Sequence, residues 1–274
     1  MKSLTIEDIK KKSLAILIEF DEICRINDIK YSIAYGTLLG AIRHNGFIPW
    51  DDDIDVIVKR DDYIKLQNIF NNQTKGPYKF ICVENTLGFS APLGKIIDTS
   101  TVLIQNGHNS DRIDLGVYID VFPYDFIPRD SVSRQSVLVK AVNRQRYWSF
   151  CGNNYDNHNL LIKTIRKILN CTSLARCIAI KTNKWAANVT NNKNTGIMAA
   201  LVFGLTDREK NTMLFDDLND LIEYKFEGFS FLGIRNSDYY LKQWYGDYMK
   251  LPPIEAQVSN HSFRAFMKET NKDD

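Results

Sequence analysis

The chain has 274 residues, 44% of them hydrophobic and 25% charged, with 35 basic against 33 acidic side chains. That usage belongs to a globular protein and excludes intrinsic disorder, collagen-like repeats and a small disulfide scaffold. A formal net charge of +2 says little about polyanionic partners, so the distribution of charge matters more than its sum.

From Thr5 to about Asn27, Ile6, Ile9, Ile16, Leu17, Phe20, Ile23 and Cys24 fall near helical spacing, and Thr5 with Asp8 suits a helix N-terminus. Tyr31 to Tyr35 reads as a strand, and Leu38 to His44 as one or two helical turns after Gly36-Thr37. Asn45-Gly46 signals a turn, Pro49-Trp50 a rigid entry, and Ile54 to Val58 a β-branched strand. Asp61 to Phe70 returns to helical spacing. Tyr78 to Val83, Lys95 to Leu103 and Val117 to Phe122 are further β-like runs. Alternating helices and strands predict an α+β sheet domain over residues 1–128.

Beyond Pro128 the pattern predicts a mainly helical lobe over 129–274, packed on the first or continuous with it. Its helices are expected at Ser131 to Phe150, Leu160 to Leu169, Leu174 to Ala187, Asp207 to Lys225 and Ser237 to Tyr245, with Phe229 to Ile234 as a returning strand. Between Ser131 and Thr206 eleven lysines and arginines face Asp156 alone. Such a block is a solvated helical surface or a landing surface for anionic lipid or a polyanionic acceptor.

Cys24, Cys82, Cys151, Cys171 and Cys177 form no CxxC or Cys/His cluster and read as free thiols of a reducing compartment. The N-terminus has no apolar signal core, and the longest apolar run, Ile197 to Leu205, is under half a membrane span. The expectation is a cytoplasmic protein, peripheral at most to the inner face of the plasma membrane.

The chemistry concentrates in Gly36 to Asp55, GTLLGAIRHNGFIPWDDDID, where Asp51, Asp52, Asp53 and Asp55 lie within five residues. Like charges this close must protonate or share a cation. Asp53 and Asp55, two apart at a strand start, project from one face while Ile54 and Val56 turn to the core. Paired carboxylates at a strand edge suit a hard ion such as Mg²⁺, with Mn²⁺ as the alternative. A calcium loop does not fit, because Val56 stands where its turn needs Gly and Asp62 where it needs Glu. Gly36 lets backbone approach a phosphate whose oxygens the Thr37 hydroxyl and helix-end N–H groups would bind. A Gly-Thr pair before a short helix, then Asp-x-Asp on the next strand, is a nucleotidyltransferase-like layout.

This run resembles the signature of the LicD family of phosphotransferases, which includes the fukutin-type proteins. The resemblance continues through GKIIDTST at Gly94, GVYIDVFPYD at Gly116 and YLKQWYGDYMKLPP at Tyr240, and is weak from about Ser131 to Leu205. It implies a polymerase-β-like nucleotidyltransferase fold, a small mixed sheet flanked by helices. It also implies transfer of a phosphorylated alcohol, typically phosphocholine from CDP-choline, to a glycan hydroxyl with release of CMP. By the family pattern Asp53, Asp55 and Asp120 are catalytic metal ligands, joined by Asp51 directly or through water. Asp120 is also the candidate proton acceptor.

Lys95 and Arg43 are candidate phosphate contacts, or merely neutralise the carboxylates. His44 binds phosphate or packs beside Trp50. Trp50, Tyr118 and Phe122 line a nucleobase or quaternary-ammonium site, or pack in the core. Tyr240, Trp244, Tyr245 and Tyr248 form an aromatic cluster expected to pack on the sheet. His108, His158 and His261 show no ligand spacing. The expected partners are the CDP-alcohol and a glycan or lipid-linked oligosaccharide of lipopolysaccharide, teichoic acid or capsule, with anionic membrane through residues 131–206 and no nucleic acid. A metal-dependent glycosyltransferase is the rival enzyme, although only about fifty residues precede its Asp-x-Asp. An inactive nucleotidyltransferase-like binding protein is the rival of a different class.

Overall fold

The computed structural model describes residues 1–72, 76–105, 115–152, 164, 174–191, 193–203, 210, 212–258 and 263–269. Thr5 caps the first helix, α1 (Ile6–Ile26): its hydroxyl accepts the Asp8 N–H at 3.1 Å, and Asp8 Oδ2 accepts the Thr5 N–H at 3.0 Å. Ile16, Leu17, Phe20 and Cys24 share its buried face, as their spacing requires.

A short β1 (Lys2–Ser3) precedes α1, and β2 (Tyr31–Ile33) leads into α2 (Tyr35–His44). The chain returns through β3 (Asp55–Lys59), α3 (Arg60–Asn72), β4 (Tyr78–Ile81), β5 (Gly94–Asp98), β6 (Thr101–Gln105) and β7 (Tyr118–Phe126). The central sheet runs β2-β3-β7-β5-β4; β3 and β7 are parallel, and the other pairs along this path are antiparallel. Its core joins Phe20 of α1, Leu66 of α3, and Val56, Ile119 and Val121 of the central strands. Mixed α+β architecture is as expected.

Two boundaries shift for local reasons. The run Lys95 to Leu103 is two strands, because Asp98 Oδ1 accepts the Ser100 N–H at 2.8 Å and its hydroxyl at 2.5 Å, folding a turn between them. The strand expected to reach Tyr35 ends at Ile33, since Tyr35 takes φ 46° and opens α2.

The second half is less helical than its sequence suggests. It contains the expected α4 (Ser131–Gly152), α5 (Leu174–Ala187) and α6 (Ser237–Tyr245), and also β8 (Ile197–Ala199), β9 (Thr212–Leu214), β10 (Leu221–Phe226), β11 (Phe229–Ile234) and β12 (Phe263–Met267). β11 matches the expected returning strand. β8 extends the central sheet from β7, and β12 joins β1 to β6.

The helix expected at Asp207 to Lys225 is, in its described part, β9, a turn at Phe215–Leu218 and β10. Ile222, Tyr224 and Phe226 turn inward while Glu223 and Lys225 are exposed, a period of two that overrides the helical reading. The helix expected at Leu160 to Leu169 falls outside the described residues except at Thr164, as do His108, His158 and His261 entirely. Cys24, Cys82 and Cys177 are free thiols. Among the described residues no helix is long and apolar enough to cross a membrane.

Candidate active site

The site begins where β2 turns into α2. A bulky residue at φ 46° is strained, and Tyr35 is held there by edge-on packing against Trp244 at 4.8 Å and Phe122 at 5.2 Å. At Gly36, which follows, a Cβ would crowd the cleft edge, standing 2.6 Å from Asp51 Oδ2. Thr37 is buried, and its hydroxyl accepts the Asp55 N–H at 2.8 Å. One bond thus ties the Gly-Thr turn to the first residue of β3. α2 ends at Asn45 in the left-handed region, φ 54°, and the chain reverses through Gly46 toward the aspartates.

Asp51, Asp53 and Asp55 are half-buried, while Asp52, Ile54 and Val56 are buried between them, as the alternation requires. Asp55 sits opposite Asp120 in the parallel pair β3–β7, and Lys95 sits opposite Asp120 in the antiparallel pair β5–β7. Burial holds the Asp55 carboxyl well above its ordinary range; Asp53, Asp120 and Asp51 push it further up, and Lys95 opposes them. Lys95 Nζ bonds Asp120 Oδ1 at 2.5 Å and lies 3.4 Å from the centre of the Tyr118 ring. Burial works to lower the Lys95 ammonium, but Asp120 and then Tyr118 outweigh it and hold it above its ordinary value.

This cluster of hard oxygen donors, with negative charge in excess, has the chemistry that suits a hard divalent cation. The side chains are not drawn together around one point: among the described residues no three of His, Cys, Asp or Glu stand where they could hold a metal ion. Asp120 instead meets Lys95. Charge and donor type fit a cation, and assembly of the ligands would require side-chain rotation.

Beside the carboxylates opens a cleft of about 540 Å³. Gly36, Arg43, Trp50 and Asp51 form one side, and Tyr245, Tyr248, Lys250 and Pro252 form the other. Burial raises the Tyr245 phenol, and the charges of Asp55, Asp51 and Asp53 raise it further, so this wall lies within reach of the carboxylates. Arg43 bridges the two sides: its Nη1 donates to the Tyr248 carbonyl at 2.7 Å, and its guanidinium lies 5.9 Å from the Trp50 ring centre. Its Nε donates to His44 Nε2 at 2.9 Å. Burial and then the Arg43 charge lower the His44 pKa, so the ring is a neutral acceptor. His44 also stands edge-on to Trp50, with centroids 6.4 Å apart.

The sequence-derived residues therefore divide. Gly36, Arg43, Trp50 and Asp51 line the cleft, whereas Asp53, Asp55, Asp120 and Lys95 make the charged cluster beside it. Thr37 and His44 serve hydrogen bonds to their neighbours. Tyr118 carries the Lys95 ammonium on its ring, and Phe122 is buried against Tyr35. Sequence reading missed Tyr35, Asp247 and Lys250. The signal for the last two was the Gly246 break after the aromatic cluster, where φ 65° ends α6 and turns the chain into the cleft wall.

The residues that build this site, from the Gly-Thr turn through Asp120, fall inside a segment matched by a known family. The model of the LicD/FKTN/FKRP nucleotidyltransferase domain matches residues 28–153. The chain is 32% identical, over 97% of its own length and all of the relative's, to a protein of Haemophilus influenzae named lipopolysaccharide cholinephosphotransferase LicD. The chain belongs to the LicD family. Shorter stretches are similar to uncharacterized proteins of Rickettsia prowazekii, 47% identical over 22% of this chain and 23% of the relative, and of Rickettsia typhi, 44% identical over 22% and 20%.

Proposed function

We propose that this protein transfers phosphocholine from CDP-choline to a hydroxyl of a lipopolysaccharide or its lipid-linked precursor, releasing CMP, on a polymerase-β-like nucleotidyltransferase fold. The observation that carries this reading is the end-to-end similarity to the Haemophilus influenzae protein named lipopolysaccharide cholinephosphotransferase. The reaction breaks the P–O bond to CMP and forms one between the same phosphorus and the acceptor oxygen, while the hydroxyl proton passes to a carboxylate.

Asp53, Asp55 and Asp120, with Asp51 beside them, would hold Mg²⁺ or Mn²⁺; such an ion supplies positive charge to diphosphate oxygens that otherwise repel a nucleophile. Arg43 and Lys250 add positive charge at the cleft. Trp50, Tyr245 and Tyr248 offer ring faces suited to a base or a quaternary ammonium. Asp120 accepts the acceptor's proton, and Lys95 orients that carboxylate. The protein works in the cytoplasm, against the inner membrane face where a lipid-linked acceptor is reached.

The test is CMP release from CDP-choline, CDP-ribitol and CDP-glycerol, with and without Mg²⁺, beside Asp53→Ala and Asp55→Ala. Release from CDP-choline that needs the ion and fails in both variants supports the reading. Turnover of UDP- or GDP-sugars with no release from any CDP-alcohol would overturn it in favour of a glycosyltransferase.

A further inference from the structure

Helix α4 buries Leu138, Ala141, Val142 and Trp148 against the protein but leaves Tyr147 67% and Phe150 38% exposed. α5 buries Ala175, Ala179 and Ala186 and leaves Leu174 36% exposed. Between the two helices lies a groove of about 940 Å³. Tyr147, Phe150, Leu174 and Ile178 supply its apolar surface, and Lys140, Arg144, Arg146 and Lys181 stand around them. No acidic side chain lines the groove among the described residues.

Single exposed apolar side chains are ordinary, but a contiguous set bordered by four cations is not. The whole molecule carries a net charge of only +2, so this concentration is local. Such a surface excludes a basic partner and would set a neutral apolar one against cations it cannot answer.

We propose that the α4–α5 groove docks the protein on an anionic lipid bilayer. Tyr147, Phe150 and Leu174 enter the boundary between headgroups and acyl chains, where aromatic side chains partition well. Lys140, Arg146 and Lys181, all exposed, meet lipid phosphates through flexible stems. Arg144 stays against the Trp185 ring, 4.8 Å from its centre, and adds its charge from there. The surface is coupled to the site by packing, since Trp148 of α4 shares an apolar cluster with Tyr118, the ring beneath Lys95. The inference deepens the proposed function by placing the chain where a lipid-borne acceptor lies, but its test uses no reaction.

Flotation with phosphatidylcholine vesicles, with and without phosphatidylglycerol, reads the docking directly. The wild type is expected to float only with the anionic vesicles and to be released by salt, which tests the cations without any substitution. The triple variant Lys140→Gln, Arg146→Gln, Lys181→Gln should lower partitioning about 100-fold, and Tyr147→Ser with Phe150→Ser about tenfold. The cation variant should keep the wild-type melting temperature, so that its loss of partitioning is not a loss of fold. Wild-type protein that ignores anionic vesicles, or variants that float as well as wild type, would overturn the proposal. So would a solution dimer dissolved by Tyr147→Ser and Phe150→Ser while vesicle binding persists. Should vesicles bind normally while no CDP-alcohol yields CMP, the docking surface stands and the proposed reaction falls.

Discussion

Lys95 and Asp120 occupy facing positions on β5 and β7, and Asp55 completes the row on β3. One ammonium therefore answers two neighbouring carboxylates, and its bond to Asp120 is partly shielded from water, each side chain being 13–14% exposed. Lys95→Met leaves Asp120 with its charge uncompensated and is expected to cost about 3–5 kcal/mol. Urea unfolding in EDTA measures the loss. Added Mg²⁺ should recover part of it, because a cation then has no lysine to compete with; no recovery would speak against a metal at Asp120.

Thr37 tests the link between the Gly-Thr turn and β3. Thr37→Val keeps the shape but leaves the Asp55 N–H without its acceptor. The expected loss is about 1–3 kcal/mol in chemical unfolding. Thr37→Ser, which restores the hydroxyl, should recover most of that stability and of CMP release.

At Gly36 stability and activity should separate. The Cβ of Gly36→Ala meets Asp51 Oδ2, the end of a side chain able to rotate away. Unfolding is expected to shift by only about 1 kcal/mol. Displacement of Asp51 from the cleft edge should lower kcat/KM for the CDP-alcohol by about tenfold to 100-fold. Equal losses in stability and activity would place the clash in the backbone instead.

His44 predicts a pH dependence. Burial and Arg43 hold its pKa below the ordinary 6.5, so between the two values the unfolded chain binds a proton that the folded chain does not. Stability must therefore fall as pH drops from above 6.5 toward the folded value, then level off. His44→Gln does not titrate and can still accept from Arg43 Nε, so it should flatten that slope. Melting temperatures from about pH 5 to about pH 8 resolve the difference.

How far each part was legible follows from the distance over which it is encoded. The Thr5–Asp8 cap, the turn at Asn45-Gly46 and the alternation of Asp53, Ile54 and Asp55 are local, and each is present as expected. The β10 pattern was equally local but hidden by its length: six residues ending at Phe226 fit a helix about as well until β11 pairs with them. β8 was illegible because three residues, Ile197–Ala199, become a strand only by pairing with β7 and β9. The carboxylates could be found by composition. The opposite cleft wall could not, since nothing near Arg43 announces a bond to the Tyr248 carbonyl.

That bond spans 205 positions. At a synthesis rate of about 5–20 residues per second, the ribosome makes Tyr248 about 10–40 s after Arg43. Asp53, Asp55 and Asp120 are all added within that interval, while the far wall of the cleft does not yet exist. The cleft thus gains its carboxylates before its second wall, which can form only once the segment from Tyr245 to Pro253 has been made.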